Sequence, residues 1–140
     1  MEITVETRSK GKQAFIKACA TLFKQELKLT NSQYTLDIVF KKGLVKEGMR
    51  GSVTKIGPRH LFMLLDSQLS GDKLVEVLAH EMVHVKQFAK GQVRSSRRGA
   101  THYWLGKNIR AKYYNQPWEI EAMSREKLLA GKVYAIIDAL

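Results

Sequence analysis

The sequence predicts an α+β fold, in which a small antiparallel or mixed sheet of about three strands packs against three helices. Three observations predict it: helical spacing of apolar residues near the N-terminus, alternating apolar residues in the middle, and two further helical segments after them. The chain of 140 residues is long enough for one hydrophobic core, and no repeat or linker divides it. We therefore expect a single domain over residues 1–140.

The first half of the chain supplies one helix and the strands. A helix is predicted over about residues 11–27, where Phe15, Cys19, Leu22 and Phe23 recur at helical spacing. Strands are predicted at residues 34–40, 49–56 and 61–65. Gly57-Pro58 marks the turn between the last two strands.

A long helix is predicted from the Ser70-Gly71-Asp72 turn, which supplies a capping residue, to about Lys90. An apolar stripe runs along one side of it, formed by Leu74, Leu78, Met82, Val85 and Ala89. Lys86 and Lys90 are expected to point away from this stripe, into solvent.

The second half then continues with an exposed loop at residues 94–99 and a short strand or turn at residues 103–105. Pro117, a residue favoured in the first turn of a helix, opens a last helix that runs to about the C-terminus. Gly131 is the place where this helix could break.

Net charge and cysteine content restrict the partners and the compartment. The formal charge is +11, and residues 82–118 contain no Asp or Glu. The basic segment 86–112 is therefore either a solvated surface or a face for nucleic-acid phosphates. A single cysteine, Cys19, excludes an internal disulfide and is expected in the core. Because neither a secretory signal nor a membrane span is recognisable, we expect a cytoplasmic protein.

The segment His80-Glu81-Met82-Val83-His84 carries the predicted chemistry. Residues four apart lie one above the other on a helix, so both imidazoles can reach a single ion. Glu81 projects about 100° from His80, within reach of a metal-bound water. Zinc lowers the pKa of such a water, and a carboxylate beside it can accept the proton. The pattern predicts one zinc ion held by His80 and His84, with Glu81 as general base; the alternative is two surface histidines on an ordinary helix.

Two segments resemble those of a known family. Residues 77–84, VLAHEMVH, resemble the active-site helix of zincin metallopeptidases, and residues 117–122, PWEIEA, are similar to the second signature of gluzincins. With the order of elements, they resemble small phage-type or prokaryotic metallopeptidases of minigluzincin architecture. The resemblance implies a zinc-dependent hydrolase of peptide bonds with a polypeptide substrate, including the case of a phage enzyme that acts in the host cytoplasm.

The gluzincin resemblance implies that the third zinc ligand is a glutamate on the helix after the motif. Signatures of the form Glu-x-x-Ala put this ligand at Glu119. Helical phase agrees, because Glu119 shares its face with Ala122 and Met123. Glu121, which shares its face with polar residues, stays an alternative. Glu119 could also act as a capping-box residue in the first turn of its helix.

Histidines are further alternatives for the third ligand. A metzincin would have a histidine where this chain has Lys90, so that group is excluded. His102 could serve as in SprT-like proteases, and His60 is a weaker candidate. One departure concerns Met123, which stands where many gluzincins have an aspartate that orients a zinc histidine. Either another group orients the histidine, or the chain belongs to a divergent branch.

The resemblance also suggests how a substrate binds. In zincins the strand before the motif helix commonly lines the cleft, so residues 61–65 would pair with an extended peptide; the same residues also fit a buried core strand. A donor for the tetrahedral oxyanion is needed, and the candidates are His102, Tyr103, Tyr113 and Tyr114.

The main rival interpretation is a basic nucleic-acid-binding module with a zinc site. Aromatic residues interleave with basic ones in segment 86–112 and just beyond it, as single-strand binders require. The two functions can coexist in a protease that acts on DNA-bound proteins, as SprT-like enzymes do. A protein-interaction domain without catalysis is the third alternative, and Glu81 argues against it.

Overall fold

The computed structural model describes residues 1–95, 102–110 and 115–140. It has three helices and two sheets, of four and three strands, and the predicted α+β class is confirmed.

The larger sheet contains strands β1 (Glu2–Glu6), β2 (Thr35–Lys41), β3 (Gly51–Gly57) and β4 (His60–Asp66). Their order is β1-β2-β4-β3, with β1, β2 and β4 parallel to one another and β3 antiparallel to β4. The sheet is therefore mixed, and β3 has a strand partner on one side only among the described residues.

The three helices are α1 (Lys10–Glu26), α2 (Gly71–Ala89) and α3 (Pro117–Asp138). Inward residues of β1, β2 and β4 form one core cluster with the buried faces of the helices. Helix α2 contacts β3 and β4, and α3 packs mainly along α2. This packing sets the start of α3 beside the motif on α2.

The smaller sheet is an antiparallel meander of β5 (Val93–Ser95), β6 (His102–Trp104) and β7 (Lys107–Ile109). Arg94 and Ser95 thus lie in a strand where a loop was predicted; residues 96–99 of that loop lie outside the described residues. The predicted short strand or turn at residues 103–105 is observed as the end of β6 followed by a turn.

Several local predictions need correction. The buried stripe of α1 includes Ile16, whereas the side chain of Phe15 is 39% exposed. Ser70 is the N-cap of α2, but its side chain donates and accepts no capping bond. Helix α3 runs through Gly131 without a break.

Among the described residues, none of the helices has an apolar stretch of the length that a membrane span requires.

Candidate metal centre

The motif residues of α2 point into a cleft between α2, α3 and β3. Side-chain atoms of His80, Glu81 and His84 that could bind a metal all lie within 4.8 Å of one another. The two imidazole rings meet edge to face, with centroids 4.9 Å apart. The predicted helix therefore brings the three groups together, as their spacing on one helix requires.

Glu119, in the first turn of α3, completes a group of three donor atoms. Its Oε1 lies 3.0 Å from Nε2 of His80 and 3.0 Å from Nε2 of His84, and the two Nε2 atoms are 3.2 Å apart. Ligand atoms bound at about 2.0–2.1 Å to a tetrahedral zinc ion are separated by about 3.3 Å. The three atoms thus have nearly the spacing of one face of such a tetrahedron, and the residues fit a zinc ion.

The opposite ring nitrogens of both histidines have acceptors of their own. Nδ1 of His80 lies 3.2 Å from Oε2 of Glu126, and Nδ1 of His84 lies 2.8 Å from Oε1 of Gln87. An acceptor at Nδ1 holds the proton there and leaves the lone pair of Nε2 directed toward the space between the three ligand atoms. Glu126 thus supplies an acceptor for His80, which Met123, at the position where many gluzincins have an aspartate, cannot supply.

The charges of the site attract cations. Burial alone would lower the pKa of His84, but its hydrogen bond to Glu119 and the charge of Glu81 outweigh burial and raise the pKa to about 9. The pKa of His80 is also raised, because its hydrogen bond to Glu119 and the charge of Glu81 outweigh the effect of burial. Burial would raise the pKa of Glu119, yet its bonds to both histidines lower the pKa to about 2. These directions mean that positive charge between the three side chains is strongly favoured.

Glu81 is buried against β3, and its Oε2 has no hydrogen-bond partner among the described residues. Burial raises the pKa of this carboxyl to about 7, against the opposing charges of His84 and His80. Gly51 makes room for it: a Cβ at that position would stand 3.1 Å from Cγ of Glu81 and 3.0 Å from the Leu64 carbonyl oxygen.

The other candidate ligands have different partners. Glu121 bonds the ammonium of Lys86 and the amide of Gln87. Lys86 is therefore buried, and the prediction that it points into solvent was wrong. His102 lines the cleft, but its Nδ1 lies 3.1 Å from Oγ of Ser95 and it is not brought into the donor group.

His60 is placed away from the donor group. It begins β4, and its Nε2 lies 2.6 Å from Oδ2 of Asp37 on the neighbouring strand.

The cleft has a volume of about 860 Å³, and residues 48–53 form one of its walls. Strand β4 is bonded on both sides, by β2 and β3, so residues 61–65 cannot accept a further strand. The prediction that residues 61–65 pair with an extended peptide was therefore wrong. Among the described residues, the edge beside the cleft that lacks a strand partner belongs to β3.

Sequence reasoning missed three residues that shape the site: Gln87, Glu126 and Gly51. Glu126 follows Glu119 by seven residues, two helical turns, so helical phase alone could have identified it. Gln87 follows His84 by three residues and could have been found in the same way. Gly51 had no such signal, because its role depends on how β3 approaches α2. Tyr113 and Tyr114 lie outside the described residues.

No family model matches the chain, and no curated protein or solved structure matches it either.

Proposed function

We propose that the protein is a zinc-dependent metallopeptidase in which His80, His84 and Glu119 hold the ion. One observation supports this above all: three donor atoms lie 3.0–3.2 Å apart, and both imidazoles have acceptors at Nδ1 that leave Nε2 free for a cation. Without a metal cation, protons on the Nε2 atoms would take its place between the imidazoles and the carboxylate, as the raised pKa of both histidines indicates.

A zinc ion held there would supply Lewis acidity, which polarises a scissile carbonyl and lowers the pKa of a water molecule. Glu81 accepts the proton of the attacking water and passes it to the leaving amine. Glu81 lines the cleft, and its Oε2 has no hydrogen-bond partner among the described residues, so no described group occupies that oxygen. Burial raises the pKa of this carboxyl, which makes it a stronger base than an exposed glutamate.

The polypeptide substrate is proposed to bind along the open edge of β3. The amide of Asp66 donates to the carbonyl of Arg50, so residues 50, 52 and 54 bond to β4. By alternation, Gly51, Val53 and Lys55 direct their peptide groups to the open edge, where an extended peptide can add as a strand. Gly51 and Val53 also line the cleft beside Glu81.

His102 is the candidate donor for the oxyanion among the described residues, because its side chain lines the cleft. Tyr103, the next residue of β6, faces the other side of the small sheet by strand alternation.

The test is metal analysis of protein purified without added zinc. Wild type and the control His60→Ala should each carry about one zinc ion per chain, whereas His80→Ala and Glu119→Ala should carry far less. Wild type should also cleave casein, lose this activity to a chelator and regain it with zinc. Wild type that takes up no zinc, or His80→Ala that retains it fully, would exclude this function.

A second candidate function is nucleic-acid binding through the basic segment 86–112, and one contact favours it. The guanidinium of Arg94 lies 5.4 Å from the ring centroid of Tyr103, on the face of the small sheet opposite to His102. A basic group stacked on a partly exposed aromatic ring suits single-stranded nucleic acid. Lys86 takes no part, since it is buried.

Titration of a fluorescent single-stranded oligonucleotide tests this second function. Binding should weaken steeply with salt, and Arg94→Ala should reduce the salt dependence by about one ion. Lys132→Ala, which removes a charge from α3, is the control. Binding that ignores salt, or equal loss in both variants, would argue against this surface.

We propose a cytoplasmic location. The thiol of Cys19 is buried, and burial raises its pKa to about 11, so it is unreactive and suits a reducing compartment.

A further inference from the structure

We propose that Gln87 is a positioning residue that holds His84 in the tautomer a cation needs, and that the Lys86–Glu121 pair holds Gln87 for this role. The inference rests on the proposed metal centre and names residues that lie outside the donor group.

The orientation of the Gln87 amide follows from its partners. Its nitrogen lies 2.8 Å from the carbonyl oxygen of Trp118 and 2.9 Å from Oε1 of Glu121, and both of these atoms can only accept. The amide nitrogen must therefore face them, and the amide oxygen must face Nδ1 of His84, 2.8 Å away. An amide oxygen only accepts, so the proton of His84 is held on Nδ1 and Nε2 is left to the cation.

The ion pair of Lys86 and Glu121 fixes this arrangement from the far side. The ammonium of Lys86 bonds Oε2 of Glu121, and Arg125 contacts the same oxygen. Glu121 is contacted by three N–H donors, on Lys86, Gln87 and Arg125, and therefore acts as an acceptor in this arrangement. A buried ion pair adds little net stability, and it is best attested where it specifies one arrangement.

Gln87 itself is fully buried, between α2 and the start of α3. It joins the helix that carries His84 to the helix that carries Glu119 through one side chain. The orientation of the ring and the position of the third donor therefore depend on the same amide.

The test uses the full chain labelled with ¹⁵N-histidine, with zinc affinity measured by competition with a chelator. In zinc-loaded wild type, NMR should show both imidazoles protonated at Nδ1, with the His84 proton slow to exchange. Gln87→Met should weaken zinc binding by about 10–100-fold and abolish the slow exchange at His84. The His80 signal, which depends on Glu126, should persist.

Glu126→Gln is the matched control, because it disturbs the acceptor at His80 and leaves the signal of His84 unchanged. Glu121→Gln keeps the size of a side chain that is 25% exposed and should produce a smaller loss of affinity, with the change confined to His84. If Gln87→Met does not fold, Glu121→Gln decides.

The outcomes separate the two proposals. Wild type that binds no zinc removes the metallopeptidase function itself. Wild type that binds zinc, together with variants whose affinity and His84 signal do not change, overturns the role of Gln87 alone.

Discussion

At the scale of single residues, the Glu81 carboxyl carries the proposed proton transfer. It is buried, one oxygen lacks a partner among the described residues, and its pKa is raised to about 7. Its oxygens are not among the three atoms, from His80, His84 and Glu119, that would bind the proposed ion. Metal binding and proton transfer should therefore be separable by mutation.

Glu81→Gln keeps the size of the side chain and removes its ability to accept a proton. We expect zinc content to stay near that of wild type and peptide hydrolysis to fall by about 10²–10⁴-fold. Metal analysis and casein cleavage on the same preparation measure both. Cleavage at the wild-type rate would show that another group accepts the proton.

Gly51 is the second residue with a specific requirement. Because an added Cβ would press on the Leu64 carbonyl and on Glu81, we expect Gly51→Ala to destabilise the protein by about 1–3 kcal/mol. Urea unfolding measures this loss. The same variant should lose hydrolysis while retaining zinc, since the contact reaches Glu81 and not the histidines. Unchanged stability and activity would show that β3 shifts to accommodate the added Cβ without a loss of stability.

The sequence predicted that His80, Glu81 and His84 lie close together, and their side chains do so because one helix supplies the geometry. The spacing of His80, Glu81 and His84 already puts them on adjoining faces, and the prediction needed no tertiary contact. Helical phase puts Gln87 beside His84 and Glu126 on the face of Glu119, but Glu126 reaches His80 only because α3 docks on α2, and the space at Gly51 exists only because β3 passes Glu81. The local periodicity of the sequence does not predict such contacts between distant segments.

At the scale of elements, α3 shows how a weak local signal can be overridden. Gly131 lies inside the helix, yet the helix continues to Asp138, because Leu129, Ala130 and Val133 are buried on either side of the glycine. Burial of this face compensates for the low helix propensity of glycine.

Gly131→Ala should therefore stabilise the protein by about 0.5–1 kcal/mol, since nothing lies within 4 Å of the added Cβ. Urea unfolding is the measurement, and the sign should be opposite to that of Gly51→Ala. Destabilisation by Gly131→Ala would mean that the helix is distorted at this position.

The strands were predicted unevenly for physical reasons. β2, β3 and β4 are each seven residues long, so alternation or an apolar run is visible in the sequence. β1 has five residues, with only Ile3 and Val5 facing inward, and it was missed. Each described strand of the smaller sheet has three residues, too few for a period to be recognised. The order of the strands depends on how the helices cross the sheet, which no local pattern records.

At the scale of the whole molecule, the charges of the site link folding to pH when no metal is bound. The lowered pKa of Glu119 adds stability above its ordinary pKa of 4.5, and this is lost as the pH falls toward 2. The raised pKa of His84 adds stability below 6.5, and this is lost as the pH rises through about 9. The raised pKa of Glu81 favours the folded state at low pH and loses this effect between 4.5 and about 7.

We therefore expect the thermal midpoint of chelator-treated protein to be highest near pH 4.5, where these three effects are all favourable. The midpoint should decline on both sides, down to about pH 2 and up to about pH 9. Differential scanning calorimetry across this range is the measurement, and His84→Ala should flatten the upper part of the decline. A midpoint that rises steadily from pH 5 to 9 would contradict these shifts. Zinc should reverse the trend, since the metal needs unprotonated imidazoles.

The division of the donor atoms between two helices has a mechanical consequence. His84 and Glu119 are 35 positions apart, so an ion between them would act as a staple that closes the intervening chain into a loop. Removing the staple should speed amide hydrogen exchange in the first turns of α3 while β2 and β4, in the centre of the sheet, stay protected. Fraying at that end of the helix would then release the cation before the rest of the fold opens.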